Sequence, residues 1–215
     1  MFSFWRRKNK AKEFVNKDIS ELGHLDLTSA NIKALLCGSS DIIFREIYIN
    51  GNKNLEISLC YVDGLIDSHI ASEDILKPLL QEKSLSKAKN GYEIINLITH
   101  GTLYYVNQKV TDKLATVVAD ILNGSMALIF NKEKLAVTFD IKGYAKRNIT
   151  EPTGENVIKG AKDSFIEDLR TNTATIRRKI KTHKLVIEET TVGKQSLTPV
   201  AIIYVRGITN QEIVT

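Results

Sequence analysis

The fold is decided by residues 151–207, which read EPTGENVIKGAKDSFIEDLRTNTATIRRKIKTHKLVIEETTVGKQSLTPVAIIYVRG. Four apolar residues recur at helical spacing and predict one buried helix face: Phe165, Leu169, Ile176 and Ile180. Ser164 and Glu167 form a capping-box pattern, in which each side chain bonds a free main-chain N–H of the first turn. The sequence therefore predicts a long helix that begins near Ser164.

Two β-rich runs follow the predicted helix, at residues 185–192 and 198–206. The segment between them begins with Gly193 and is rich in turn-forming residues. Strands separated by so short a turn usually pair with each other. We therefore expect a β-hairpin directly after the helix.

Part of this stretch also follows a family pattern, carried in order by Glu151, Pro152, Gly160, Phe165, Asn172, Arg177, Arg178, Ile180, Gly193, Thr198, Tyr204 and Gly207. In this order the stretch resembles the A subunit of the spore germinant receptors, the GerA family. The chain departs from the family pattern at residues 159–162, where Lys-Gly-Ala-Lys replaces Arg-Gly-Pro-Arg, and at Thr175, where an apolar residue is common. The match covers the front half of the family's soluble region.

The resemblance implies the soluble N-terminal region of a receptor A subunit, which takes part in receptor assembly and in nutrient-signal transduction during spore germination. The implied partners are the B- and C-type subunits and the spore inner membrane, which would be reached through a C-terminal part absent from this sequence. The region itself would lie on the cytosolic side, in the spore core. Self-association stays open as a further contact.

The upstream sequence predicts a first α/β domain. Thr28 and Ser29 begin a short apolar helix, and Thr111 caps a longer one that is ended by Gly124. Apolar runs joined by polar turns predict two hairpins and a further strand, at residues 42–49 with 55–62, 125–130 with 135–141, and 102–106.

The chain resembles itself at a shift of 143 residues. Residues 41–70 align without a gap on residues 184–213, and the two β-rich pairs and their turns coincide. The apolar positions agree better than the identities do, so chance similarity between two hairpins stays an alternative to a true repeat. A repeat would make residues 184–213 the beginning of a second copy of the first domain.

The predicted fold class is therefore α/β. It comprises a mixed β-sheet domain with flanking helices, a long connecting helix, and the start of a second, similar α/β domain. The predicted division is a basic N-terminal arm, a first domain, a linker with the connecting helix, and an incomplete second domain, at residues 1–24, 25–145, 146–183 and 184–215.

The composition favours a folded protein with a real core, because 43% of the residues are hydrophobic. No run reaches the roughly 18 apolar residues that span a bilayer, and two cysteines provide no disulfide framework. The first 24 residues place clustered bases behind Phe2, Phe4 and Trp5. Such an arm suits an anionic membrane or nucleic acid, or is simply solvated.

The sequence contains no motif that supports catalysis or cofactor binding. Neither a glycine-rich phosphate loop nor a G-x-S-x-G elbow occurs. The histidines do not stand at metal-ligand spacing from one another or from a cysteine: His24, His69, His100 and His183. We therefore predict neither enzymatic activity nor a metal or other cofactor.

A basic stripe is predicted along the connecting helix, where Arg170, Arg177 and Lys181 recur in line with Ala174. Such a stripe suits a phosphate, an anionic lipid or an acidic partner surface, and it is equally typical of a solvated helix face. Acidic residues near the helix interrupt the positive charge, so nucleic acid is not the expected partner.

Asp63 and Asp67 flank the turn after a predicted strand and form a weak ligand candidate. The plainer interpretation is a turn aspartate and a helix-capping aspartate.

Two other function classes stay open beside the receptor role. A two-domain module that binds a small ligand would respond in calorimetry to amino acids or sugars, whereas a nucleic-acid-binding domain would show strongly salt-dependent binding.

Overall fold

The computed structural model describes residues 25–103, 105–143 and 165–214. The strands of its main sheet are β1 Ile42–Tyr48, β2 Glu56–Val62, β3 Gln108–Thr111, β4 Ser125–Phe130 and β5 Leu135–Asp140. They lie in the order β1-β2-β4-β5-β3, and each neighbouring pair is antiparallel. A second sheet contains β6 Leu185–Val192 and β7 Thr198–Val205. The α/β class expected from the sequence is confirmed, but the main sheet is antiparallel at every described pairing and is not mixed.

Helices separate and cover these strands. Their bounds are α1 Ser29–Leu35, α2 Ser68–Ile70 continued by the π-helical Ala71–Leu76 and by Lys77–Gln81, α3 Gly91–Leu97 continued by the π-helical Ile98–Thr102, α4 Leu114–Leu122, α5 Leu169–Lys179 and α6 Gln211–Val214. We call the part that contains α1 to α4 and β1 to β5, residues 25–143, the first unit.

The main sheet has a hydrophobic core on each face, because side chains alternate between the two faces along a strand. Leu59 of β2 packs in a core with residues of α2 and α3. Its neighbour Cys60 packs on the other face with residues of α1 and α4. Strand β4 is buried at every position, which explains why its sequence, SMALIF, lacks the polar alternation of a half-exposed strand.

Several local predictions are confirmed. Helix α1 begins after Thr28, whose Oγ1 accepts a hydrogen bond from the Asn31 N–H (3.3 Å). Helix α4 is followed by Gly124 at φ +92°, in the left-handed region that favours glycine after a helix. The cap predicted at Thr111 is wrong, because Thr111 ends β3 and the N-cap position of α4 is Lys113. The predicted hairpins are β1–β2, β4–β5 and β6–β7.

The strand predicted at residues 102–106 is wrong. The chain is still π-helical up to Thr102, and the strand β3 begins later, at Gln108. β3 is a four-residue edge strand that pairs only with β5 among the described strands. Its first and last positions are half-buried and its two central positions are exposed. Its sequence, QKVT, therefore lacks the apolar pattern by which strands are recognised.

The connecting helix is shorter than predicted. It begins at Leu169, because Asp168 adopts an extended conformation and its Oδ2 accepts the Thr171 N–H (2.7 Å). Glu167 lies before the helix, so the capping box predicted for its first turn is wrong, and Ser164 lies outside the described residues. An aspartate is as good an N-cap as a serine, and here it determines where the helix starts.

The hairpin of β6 and β7, called the second hairpin, lies against the first unit. Ser40 donates its main-chain N–H to the Ile187 carbonyl (2.7 Å), and its hydroxyl accepts the Glu189 N–H (3.0 Å). The Ser39 hydroxyl accepts the Ile187 N–H (3.2 Å). These bonds give partners to the main-chain groups of Ile187 and to the Glu189 N–H on the outer edge of β6.

The two hairpins β1–β2 and β6–β7 pair in the same register at a shift of 143 residues. Ile42 lies opposite Val62, and Leu185 lies opposite Val205. The glycines that follow the two hairpins also correspond, since Gly64 has φ +83° and Gly207 has φ +79°. The geometry of the first hairpin therefore recurs in the second.

The two cysteines lie in different surroundings. Cys60 is buried in the sheet, and burial raises the pKa of its thiol. Cys37 is exposed between α1 and β1. Within the described residues, no helix has the length and apolar character needed to cross a membrane.

Candidate functional site

Helix α5 lies where the first unit meets the second hairpin, and its side chains form the candidate site. Asn172 fixes the segment that leads into the helix. Its Oδ1 accepts the Ile166 N–H (2.8 Å), and its Nδ2 donates to the Ile166 carbonyl (2.6 Å). This two-way bond gives a structural reason for asparagine at a position that belongs to the family pattern.

Asp168 holds the first turn of α5. Hydrogen bonds from the Thr171 hydroxyl and main-chain N–H hold the pKa of this carboxyl below its usual value. A carboxylate at a helix N-terminus also interacts favourably with the helix dipole. The cap is therefore stronger while Asp168 is ionised.

We expect Asp168→Ala to lower the free energy of unfolding by about 0.5–2 kcal/mol near pH 7. Because the folded-state pKa is depressed, the contribution is complete above the unfolded-state value, about 3.9, and is lost as the pH falls through the folded-state pKa. Denaturant titrations at pH 7 and pH 3 measure this difference. Glu167→Ala, one residue before the cap and exposed, is the control. Equal losses for both variants would contradict the cap.

Arg177 is the most buried member of the predicted basic stripe, with no exposed surface. Its Nε and Nη2 donate to the two carboxylate oxygens of Asp41 (2.9 and 2.8 Å). Nη1 donates to the Leu185 carbonyl (3.0 Å), and Nη2 also donates to the Ser39 hydroxyl (3.2 Å). The expectation that Arg177 lies on an exposed stripe is wrong, because its partner Asp41 comes from a distant part of the chain.

Arg170 lies about two turns before Arg177 on the same face of α5 and bridges the two hairpins. Its Nε lies 3.1 Å from Asp63 Oδ2, at the turn after β2. Its Nη1 lies 2.8 Å from Glu189 Oε1 on β6, and Nη2 donates to Glu189 Oε2 (3.1 Å). The structure thus joins two candidates that the sequence kept apart, Asp63 and Arg170. Lys181, the third cation of the stripe, is exposed.

Helix α5 approaches the first unit closely at Gly64. A Cβ atom on this glycine would lie 3.1 Å from Ala174 Cβ and 3.1 Å from Arg170 Cδ. The positive φ of Gly64 and the small side chain of Ala174 together allow this approach. We call α5 with Arg170, Arg177 and their three acidic partners the junction.

The second half of the weak ligand candidate has a structural role. The Oδ1 atom of Asp67 accepts the N–H groups of His69 (2.9 Å) and Ile70 (3.1 Å), so Asp67 caps α2. Asp63 is paired with Arg170. Both carboxylates therefore have partners within the chain, and ligand binding at this turn stays a prediction.

The predicted apolar face of α5 is only partly buried. Phe165 lies before the helix and is 67% exposed, and Ile180 follows the helix and is 41% exposed. Leu169 and Ile176 are half-buried. The expectation of full burial is wrong because the helix is too short to include both ends of the pattern, and its buried positions are Thr173, Ala174 and Arg177.

Two further residues of the family pattern have local roles, and three lie outside the described residues. Gly193 has φ +90° in the turn between β6 and β7. Arg178 donates from Nη2 to the Thr175 hydroxyl (2.8 Å). Glu151, Pro152 and Gly160 lie outside the described residues.

Sequence reasoning missed Asp41, Ser39 and Glu189. Ser39 and Asp41 lie in the loop before β1, and Glu189 lies within β6. No local sequence pattern marks any of them as a partner of α5. In the described part of the chain, no group of three or more His, Cys, Asp or Glu side chains is placed to hold a metal ion.

A polar cleft of about 590 Å³ lies beside β3 and α4 in the first unit. Lys109 Nζ lies 3.2 Å from Asp120 Oδ2, and Lys142 Nζ lies 2.8 Å from Asp140 Oδ2. The charges that line the cleft thus neutralise one another. The cleft provides no single-sign charge that would select an ionic ligand.

The sequence of this chain matches a known protein family. Residues 30–215 match the family model described as Bacillus/Clostridium GerA spore germination protein. Spore germination protein KA of Bacillus subtilis is 27% identical over 184 residues, which are 86% of this chain and 33% of that protein. Spore germination protein GerQA of Bacillus cereus is 32% identical over 183 residues, 85% of this chain and 34% of that protein.

A solved structure shares the fold. The crystal structure of the N-terminal domain of the A subunit of the Bacillus megaterium spore germinant receptor GerK3 matches with a TM-score of 0.64 and 25% identity, over 88% of this chain and 68% of that one. The chain spans about a third of the length of the curated relatives it matches. Because the family match extends over most of the described residues, the chain belongs to the GerA family of spore germination proteins.

Proposed function

We propose that this chain is the N-terminal region of a spore germinant receptor A subunit, and that it takes part in receptor assembly and in transduction of the nutrient signal. The role is that of a receptor component rather than an enzyme. Its proposed partners are B- and C-type subunits. Attachment to the spore inner membrane is proposed to occur through a further part of the receptor, with this region on the cytosolic side.

The observation that carries the signalling role is the junction. Arg170 contacts Asp63 in the first unit and Glu189 in the second hairpin. Arg177 does the same with Asp41 and the Leu185 carbonyl. The two parts also bond directly, through Ser39 and Ser40 to β6, so a displacement of either part would disturb one connected network that includes α5. Coupling between distant sites is carried by contiguous networks of this kind, and this continuity supports the proposed signalling role.

The proposed domain division follows the same arrangement. We propose a first domain at residues 25–145, a linker with the connecting helix at residues 146–183, and the start of a second domain at residues 184–215, preceded by the N-terminal arm at residues 1–24. The contacts of α5 with both neighbouring parts support its position between two domains.

The test is Arg170→Gln in the complete receptor. Partly exposed ion pairs contribute only about 0–1 kcal/mol each, so the variant should stay folded, with a melting temperature close to that of the unchanged protein. We expect the rate of nutrient-induced germination to fall clearly, since glutamine cannot hold both carboxylates. The measurements are receptor level in spore membranes by immunoblot and germination by loss of optical density.

Lys181→Gln is the matched control, because it removes an exposed positive charge just after the same helix. Normal germination of spores with Arg170→Gln at a normal receptor level would contradict a signalling role of the junction. A reduced receptor level with a folded domain would assign the junction to assembly instead.

A further inference from the structure

The polar cleft beside β3 and α4 interrupts an apolar face of the main sheet. On this face Ala127, Ile129 and Ala136 pack in the core shared with α1 and α4. Side chains alternate along a strand, so Ser125 of β4 and Thr138 of β5 lie on the same face. Both residues are buried, with exposed fractions of 6% and 4%, and both line the cleft. The sheet therefore presents hydroxyl groups to the cleft where a purely structural core would continue with apolar side chains.

Three polar side chains of the cleft lack a hydrogen-bond partner among the described residues. They are the amides of Asn107 and Asn123 and the hydroxyl of Ser125. Each of these groups can donate and accept a hydrogen bond. A buried polar group without a partner costs free energy, and alanine, which occupies the next position of β4 on this face, would avoid that cost at Ser125. Serine at this position is therefore explained by a polar molecule that enters the cleft and bonds its hydroxyl.

The charged side chains of the cleft are already paired with one another. Lys109 Nζ lies 3.2 Å from Asp120 Oδ2, which also accepts the Thr138 hydroxyl (3.1 Å). Lys142 Nζ lies 2.8 Å from Asp140 Oδ2. An ion that entered the cleft would have to displace one member of a pair, whereas an uncharged molecule can bond the free amides and hydroxyl while both pairs stay intact. The cleft therefore favours a ligand that is uncharged and rich in hydrogen-bonding groups.

We propose that this cleft binds a neutral polyol of about monosaccharide size through Asn107, Asn123 and Ser125. The hydroxyl groups of a polyol donate and accept hydrogen bonds as the three free side chains do, so each contact can satisfy both partners. The cleft volume of about 590 Å³ lies within the roughly 300–1,000 Å³ that small-molecule sites occupy. None of the three residues belongs to the junction, so this binding site is independent of the proposed signalling role.

Titration of the isotope-labelled chain with myo-inositol and, separately, with D-sorbitol tests this binding by nuclear magnetic resonance. We expect at least one of the two polyols to shift the amide signals of Asn107, Asn123 and Ser125 in a saturable way. Because the ligand is uncharged, a higher sodium chloride concentration should change the dissociation constant by less than about twofold. If neither polyol causes saturable shifts at these residues, the proposal is wrong.

Three alanine variants localise the contact. Ser125→Ala and Asn123→Ala should each weaken polyol binding at least about tenfold, because each leaves a ligand hydroxyl without its partner. Asn96→Ala is the matched control, since Asn96 is exposed on α3 and does not line the cleft, and its dissociation constant should be unchanged. The spectrum of each variant without ligand shows whether it is folded. Equal dissociation constants for all three folded variants would place the polyol elsewhere and overturn the proposal.

A charged probe identifies the alternative occupant. L-Alanine carries an ammonium and a carboxylate, so it would replace partners in the two ion pairs, and its binding would weaken as salt is added. If L-alanine shifts the three amide signals and the polyols do not, the cleft selects a zwitterion and the proposal is wrong. Polyol shifts that spread over the whole surface without saturation would be a solvent effect, which also contradicts a binding site.

Discussion

Arg177→Met should lower the free energy of unfolding by about 3–5 kcal/mol, because it removes one partner of a fully buried ion pair. Methionine fills much of the space but leaves the Asp41 carboxylate without a counter-charge. It also leaves the Leu185 carbonyl with the Ser39 hydroxyl (3.3 Å) in place of its shorter bond from Arg177 (3.0 Å). Domains are stable by only about 5–15 kcal/mol in total. A urea titration followed by circular dichroism will therefore show the loss clearly.

Two controls separate burial from charge. Lys181→Met removes an exposed positive charge and should change stability by less than about 0.5 kcal/mol. The double variant Arg177→Met/Asp41→Leu should recover much of the loss, since a buried pair replaced by apolar residues leaves no uncompensated charge. If Arg177→Met alone stays within about 1 kcal/mol of the unchanged protein, the ion pair does not form in solution.

Gly64→Val should lower the free energy of unfolding by about 2–5 kcal/mol, the second largest loss expected here after that of Arg177→Met. Part of this loss arises because a β-branched residue is strained at φ +83°. The rest arises because the new side chain meets Ala174 and Arg170 of α5, a contact already tight at 3.1 Å for the Cβ atom alone. Thermal unfolding of the purified chain measures the total.

Gly51→Val provides the matched control for backbone strain. Gly51 has φ +71°, and a Cβ there would meet no atom within 4 Å. The difference between the two valine variants therefore reports the contact with α5. Equal losses would mean that α5 does not pack on Gly64, and the junction as described here would be wrong.

Local patterns predicted most of the elements. The hairpins β1–β2, β4–β5 and β6–β7 are each defined by two neighbouring apolar runs and a polar turn, and Thr28 marks the start of α1 by its own side chain. A capping side chain marks the start of α3 as well. Asn90 accepts the Glu93 N–H (3.0 Å), but the polar residues before it hid the start of the helix.

The candidate site was much less accessible to sequence reasoning. A basic stripe at helical spacing is compatible with water, with a partner or with buried acids, and the difference is decided by residues far away in the chain. Arg177 is buried because Asp41 faces it, and Arg170 is half-buried because Asp63 and Glu189 face it. The sequence predicted which residues share a helix face, but not which part of the fold that face would contact.

The position of the junction also has a consequence for the order of folding. Asp41 and Ser40 bond to residues that lie 136 and 149 positions away in the chain. Closing so long a loop costs entropy that local contacts do not require, so the hairpins should form before α5 is fixed between them. Interactions that form after the rate-limiting step slow unfolding without accelerating folding. The buried Arg177 would then mainly lower the rate of unfolding, so it would determine how long the native structure persists and would hardly change how fast it forms.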